Sequence, residues 1–225
     1  MLRNLPRNRT TLVFIGIGMA TAAAHIGNNF TTYLIGGLID RFDFTPVQMG
    51  AWSMVETLAY AASMFLIAPR VASLSPRLLL IVAGLLVTVA QVGSAGLSQY
   101  VPLLIGRVAT GVGFGLANTA LNLAAGRTDS PARALSLGIA VQTLLYALIN
   151  IGLPMVGARF GVAGMFCALA ALSALFTLPA VWLPAAPVEQ LAKNPRQSAH
   201  IGADGGRVLI SMALFTFGRD RKSVV

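Results

Sequence analysis

The chain has 225 residues, 56% hydrophobic and only 10% charged, with sixteen Lys and Arg against seven Asp and Glu and a net charge of +9. A soluble domain carries about 25% charged residues, so this composition excludes a globule whose surface is covered by polar side chains. The one cysteine, Cys167, excludes a disulfide within the chain; set in an apolar run, it is expected to be a packing residue.

The predicted elements are six membrane-spanning helices, at 11–38, 47–68, 78–97, 101–124, 134–157 and 161–183. The third, LLLIVAGLLVTVAQVGSAGL, has no charge over about the length needed to cross a bilayer. The first is too long for the apolar core of a secretory signal and precedes no soluble domain. It ends in Leu34–Phe44, LIGGLIDRFDF, read as a helix end followed by an outer loop. Short polar connections such as DFTPVQ, PRVASLSPR and AGRTDSPAR separate the spans. After them, 184–207 is rich in Pro, Ala, Gly and polar residues and reads as a linker. A seventh apolar run, 208–218, stops too early to cross.

Basic residues orient the spans. Arg3, Arg7, Arg9, Arg70, Arg77, Arg127, Arg133, Lys193, Arg196 and Arg207 fall on one side, and only Arg41 and Arg159 on the other. The positive-inside rule makes the crowded side cytoplasmic, including the N-terminus and the 184–207 linker. Placed this way the positive charge serves the lipid bilayer, and no nucleic-acid partner is expected.

Ionisable and amide side chains at membrane depth are costly, so they face a partner or a cavity. The first helix carries His25, Asn28 and Asn29. The second carries Glu56, with Trp52 and Tyr60 four residues to either side on the same face. The fourth carries Arg107, then Asn118 and Asn122, and the fifth carries Gln142, Tyr146 and Asn150 at a regular spacing of four. Each amide alone reads equally as interhelical glue. For Glu56 an ion pair with Arg107 or His25 competes with a transport role. For Arg107 bonding to backbone carbonyls of the first helix is the structural reading. No P-loop, G-x-S-x-G or His/Cys ligand cluster is present. Hence neither an ATP-driven pump, a cofactor, a metal site nor a soluble-type enzyme is expected.

Arg107-Val-Ala-Thr-Gly-Val-Gly113 follows an R-x-x-x-G-x-G pattern, Arg127–Arg133 a short basic loop, and IGLPMVGARFG (151–161) a helix end. Together with six spans, a linker and the start of a seventh, these resemble the N-terminal half of a major facilitator superfamily transporter. "GGLIDRF" imitates that family's loop between helices 2 and 3, but it follows the first span and faces outward. The loop in the matching place, Ala68–Arg77, lacks the aspartate, which puts the family's cytoplasmic charge latch in doubt. The resemblance implies an all-α bundle over 1–183 built as a three-plus-three inverted repeat, in which Gly16-Ile-Gly18 echoes Gly111–Gly115. It further implies secondary active transport of a small solute by alternating access, in the inner (cytoplasmic) membrane. His25, Asn28, Asn29, Asn118, Asn122, Gln142, Tyr146 and Asn150 would line the path. Glu56, Arg107 and His25 would handle a coupling proton. The natural partner would be a second six-helix half. In keeping with that, Asp220–Val225, DRKSVV, resembles a translated sequencing adaptor and is expected to be an assembly artefact. Two other readings stay open: an intramembrane enzyme using His25 and Glu56 as acid and base, and a non-transporting receptor or assembly factor.

Overall fold

The computed structural model describes residues 7–185. The expectations for the linker beyond 185, the run at 208–218 and the tail at 220–225 lie outside these residues.

The described chain is helical, in the order α1 (Arg7–Phe42), α2 (Pro46–Ile67), α3 (Pro76–Ala95), α4 (Tyr100–Ala125) and α5 (Pro131–Thr177). Short 3-10 turns follow α2 at Ala68–Ser73 and α5 at Leu178–Trp182. Prolines mark the starts of α2, α3 and α5 because a first-turn residue has no intrahelical use for its N–H. At α2, Thr45 caps the helix: its hydroxyl accepts from Gln48 N at 3.2 Å, and Gln48 Oε1 accepts from Thr45 N at 2.8 Å. Ser75 does the same one-sidedly for α3 through Leu78 N.

Among the described residues, five helices are long and apolar enough to cross a membrane. The fifth, Pro131–Thr177, is a segment of 47 residues that holds the expected span 134–157 and most of 161–183, two helices joined across a kink at Gly161. Straight, it would be about 70 Å long, more than twice a bilayer's hydrocarbon core. It is not straight. Gly161 has φ 65° and ψ −162°, a non-helical conformation open essentially to glycine alone.

The chain turns back at this point. Gly18 meets Val141, the Tyr146 hydroxyl reaches Ala22, and Tyr33 reaches Asn150, so the first limb of α5 ascends α1. Gly37 then meets Val162 and Gly16 meets Leu183, so the second limb descends it. α1 packs most extensively against α5, α4 packs against both α2 and α3, and α2 touches α1 only lightly.

Two apolar clusters form the core. One gathers Phe30, Trp52, Phe114, Tyr146 and Phe166; the other gathers Ile17, Leu80, Ala120, Leu121 and Leu183. The outside is apolar too: Phe65, Leu66, Leu85, Val89, Leu144 and Ile151 are all exposed. Contiguous apolar surface on this scale requires a non-aqueous environment, and the chain is a multi-pass helical membrane protein. Cys167 belongs to this outer surface, being exposed rather than packed inside.

Polar ties close both ends. Tyr100 donates to Gln48 O at 2.9 Å and meets Phe44 edge-on, holding the α1–α2 loop to α4. At the other end Arg77 donates through Nε and Nη2 to Leu183 O, at 3.1 and 2.9 Å. LIGGLIDRFDF is mostly helix: Leu34 and Leu38 are fully buried, and α1 runs to Phe42. Asp40 and Arg41 line an open cavity of about 530 Å³ beside Tyr33, Pro154 and Gly161.

Candidate functional site

Glu56 of α2 and Arg107 of α4 are each 2% exposed, and Arg107 Nη2 lies 2.6 Å from Glu56 Oε2. Three glycines make this burial sterically possible. A Cβ at Gly27 would lie 2.8 Å from Glu56 Oε1 and closer still to Phe114. One at Gly111 would strike the Glu56 backbone carbonyl, and one at Gly115 would strike Ser63 Oγ and approach Tyr60 O. Small residues let helix backbones approach closely in lipid, and here they bring α1, α2 and α4 around one charge pair. The R-x-x-x-G-x-G pattern thereby acquires a geometry. Gly111 admits α2, whereas Gly113 turns the other way, where a Cβ would sit 2.5 Å from Val87 of α3.

The pair is dressed by side chains from three helices. Thr110 Oγ1 donates to Glu56 Oε1 at 3.2 Å, with Arg107 O as an alternative acceptor at 3.0 Å. Thr31 of α1 donates to Gly27 O at 2.6 Å, lies 3.4 Å from Glu56 Oε2, and accepts from Arg107 Nη2. The guanidinium carbon stands 3.9 Å from the centre of the Trp52 ring. Trp52 is itself held by Nε1 donating to Leu103 O. Arg107 Nε has no hydrogen-bond partner among the described residues. Arg107 therefore bonds to a carboxylate and a hydroxyl, not to backbone carbonyls of α1.

His25 is not part of this cluster. It is half-buried, and its Nδ1 donates to Thr21 O one turn back at 2.9 Å. That bond puts the ring proton of a neutral imidazole on Nδ1 and leaves Nε2 as an acceptor. Asn28 and Asn29 are exposed, and Asn29 donates back to His25 O. Asn118 is half-buried beside Met64 Sδ at 3.4 Å, and the exposed Asn122 donates to Asn118 O. Asn122 also borders a crevice of about 470 Å³ with Met64, Ala68, Thr119 and Arg127. There, partial burial lowers the Arg127 guanidinium from its ordinary value while leaving it cationic.

The α5 stripe divides. Tyr146 is buried against α1, its hydroxyl donating to Ala22 O at 2.6 Å and its ring edge-on to Phe30. Asn150 is exposed, accepts from Tyr33 and donates to Tyr146 O, while Gln142 is half-buried. Two of the three thus stitch α5 to α1.

Sequence reasoning missed Thr31 and Thr110. Thr110 carries a local signal, one turn after Arg107. Thr31 carries none, since only folding brings it to Glu56. Among the described residues, no group of three or more His, Cys, Asp or Glu side chains is placed to hold a metal ion. What the arrangement places inside the bundle is a carboxylate with a fixed cation beside it. Compared with protein-family models the chain matches none, and compared with curated proteins it finds no match either.

Proposed function

We propose that the chain is the six-crossing amino-terminal half of a secondary transporter of the major facilitator type. It would carry a small solute by alternating access against a second six-helix half. The observation that carries this reading is the Glu56–Arg107 pair, sealed at 2% exposure among three apolar helices. Partner removal from such a pair is strongly destabilising, whereas well-packed apolar residues commonly do as well or better. An ionisable pair retained at this depth is therefore a functional candidate. Counting the two limbs of α5 separately gives six crossings, and the polar Asn28, Asn29, Asn150 and Asn122 all lie exposed. On this reading the residues crowded with arginine face the cytoplasm. Glu56 takes up a proton on one side and releases it on the other, with Arg107 beside it as a fixed cation.

The test is accumulation of solute by proteoliposomes holding the chain together with its carboxy-terminal half, under an imposed proton gradient. Gradient-dependent accumulation that Glu56→Gln abolishes supports the reading. Turnover of a substrate in detergent, with no gradient, would show an intramembrane enzyme instead. Absence of both transport and turnover would leave a receptor or assembly factor.

A further inference from the structure

Gln91 of α3 is 1% exposed, and neither its amide oxygen nor its amide nitrogen has a hydrogen-bond partner among the described residues. A fully buried, wholly unpartnered amide at membrane depth is costly. Its place in the bundle is set by two close approaches of α3 to α4. A Cβ at Gly113 would lie 2.5 Å from Val87, and one at Gly106 would lie 2.5 Å from Ser94 Oγ. Each pair is seven residues apart along its helix, so the two helices run antiparallel with a common facing stripe. On α3 that stripe includes position 91, between 87 and 94; on α4 it includes Thr110, between 106 and 113. Gln91 therefore stands level with Thr110, one turn from Arg107, whose Nε is also buried without a partner.

We propose that Gln91 is a positioning residue of the buried site, an alternate acceptor for the Arg107 guanidinium when Glu56 is neutral. The inference rests on the reading of Glu56 as a group that changes protonation. Arg107 is the charged group facing Glu56; α1 adds the uncharged Thr31 and α4 adds Thr110. With Glu56 ionised, Arg107 is held through Nη2 by Glu56 and Thr31 while Nε and Gln91 both wait. With Glu56 protonated, the cation loses its counter-charge but not its need for an oxygen, and Gln91 Oε1 supplies one. The incoming proton forms the Glu56 carboxyl O–H bond and leaves when that bond breaks; the exchange of Arg107 between Glu56 and Gln91 itself involves hydrogen bonds alone.

The test is a double-mutant cycle on the full chain in lipid nanodiscs, with Glu56→Gln as the neutral mimic. Gln91→Leu is expected to leave the melting temperature of the unsubstituted protein level or raised, because it removes an unpartnered amide. In the Glu56→Gln background the same change is expected to lower it by about 4 °C, the scale of one hydrogen bond to a charged group in a chain of this size. Trp52 gives a second readout beneath the guanidinium. With Trp182→Phe as background, its emission should shift in Glu56→Gln and return when Gln91→Leu is added. An equal effect of Gln91→Leu in both backgrounds, with no change at Trp52, would overturn the proposal. If Glu56→Gln does not fold, Glu56→Gln/Gln91→Glu places the counter-charge opposite and should recover folded protein; failure to recover it counts against the proposal equally. The cycle needs no transport, so a positive cycle with no solute accumulation would remove the transporter reading alone.

Discussion

The Arg107 guanidinium lies over the Trp52 indole at 3.9 Å while its Nη2 reaches Glu56 at 2.6 Å. One cation is thus satisfied by a ring face and a carboxylate together, both from α2. The planar group is essential to this double contact, since lysine offers a point charge with no face to stack. Desolvated cation–π contacts are worth about 2 kcal/mol. Arg107→Lys is expected to destabilise the protein by about that amount despite conserving charge. Thermal melting in detergent checks it, and unchanged stability would show that the stacking contributes nothing.

Glu56→Ala leaves Arg107 buried without a counter-charge and should cost about 3–5 kcal/mol. The double substitution Glu56→Met/Arg107→Met removes both charges and should recover most of that loss. Folded yield and melting temperature of the three proteins decide the point. In the transporting assembly, Glu56→Gln should abolish proton-driven accumulation while leaving substrate binding or exchange largely intact. Normal accumulation by well-folded Glu56→Gln protein would end the coupling role.

The glycines divide into two classes. Added bulk at Gly111 or Gly115 meets the α2 backbone, whereas Gly36 and Gly50 have nothing within 4 Å of a new Cβ. Gly111→Val and Gly115→Val are expected to separate α2 from α4 and abolish folded yield. Gly36→Ala and Gly50→Ala should be neutral or slightly stabilising, because alanine is the better helix former. Size-exclusion profiles of the four variants distinguish a specific close approach from a general sensitivity to added methyl groups.

Gly161→Ala introduces a side chain at φ 65°, ψ −162°. Such backbone costs about 1–3 kcal/mol for any other residue. The substitution should lower the melting temperature even though the nearest atom to a new Cβ is only the Arg41 side chain, at 3.2 Å. An unaffected protein would mean that the turn accommodates an ordinary residue by shifting elsewhere.

Orientation is open to protease protection in sealed vesicles. A site engineered at the exposed Asp43, between α1 and α2, should be cut from outside. Tags at the N-terminus and near Gln197 should both be protected. Cleavage at Gln197 from outside would make the crossing count odd and remove the six-crossing reading.

Length, apolar runs and proline starts determined that this chain is a helical membrane protein and roughly where its helices lie. Those signals are local: a charge-free run of bilayer length and a capped, proline-led start act through the residues that carry them. Glu56, Trp52 and Arg107 were likewise legible, because charge and spacing at membrane depth are properties of one helix at a time. Tertiary structure alone decided the partners. Residues 76 apart in sequence, Thr31 and Arg107, meet because glycines at 27, 111 and 115 let three backbones converge. His25 was drawn to its own helix because Thr21 O is one turn away, a competitor for the Glu56 side chain that spacing did not weigh. Tyr146 belonged to a polar stripe in the sequence and to the α1 seam in the fold, since a buried hydroxyl takes a carbonyl within reach, here Ala22 O. The division of 134–157 from 161–183 was legible in the sequence, but that the two join through one non-helical residue, Gly161, with no loop between them, was visible only in the fold.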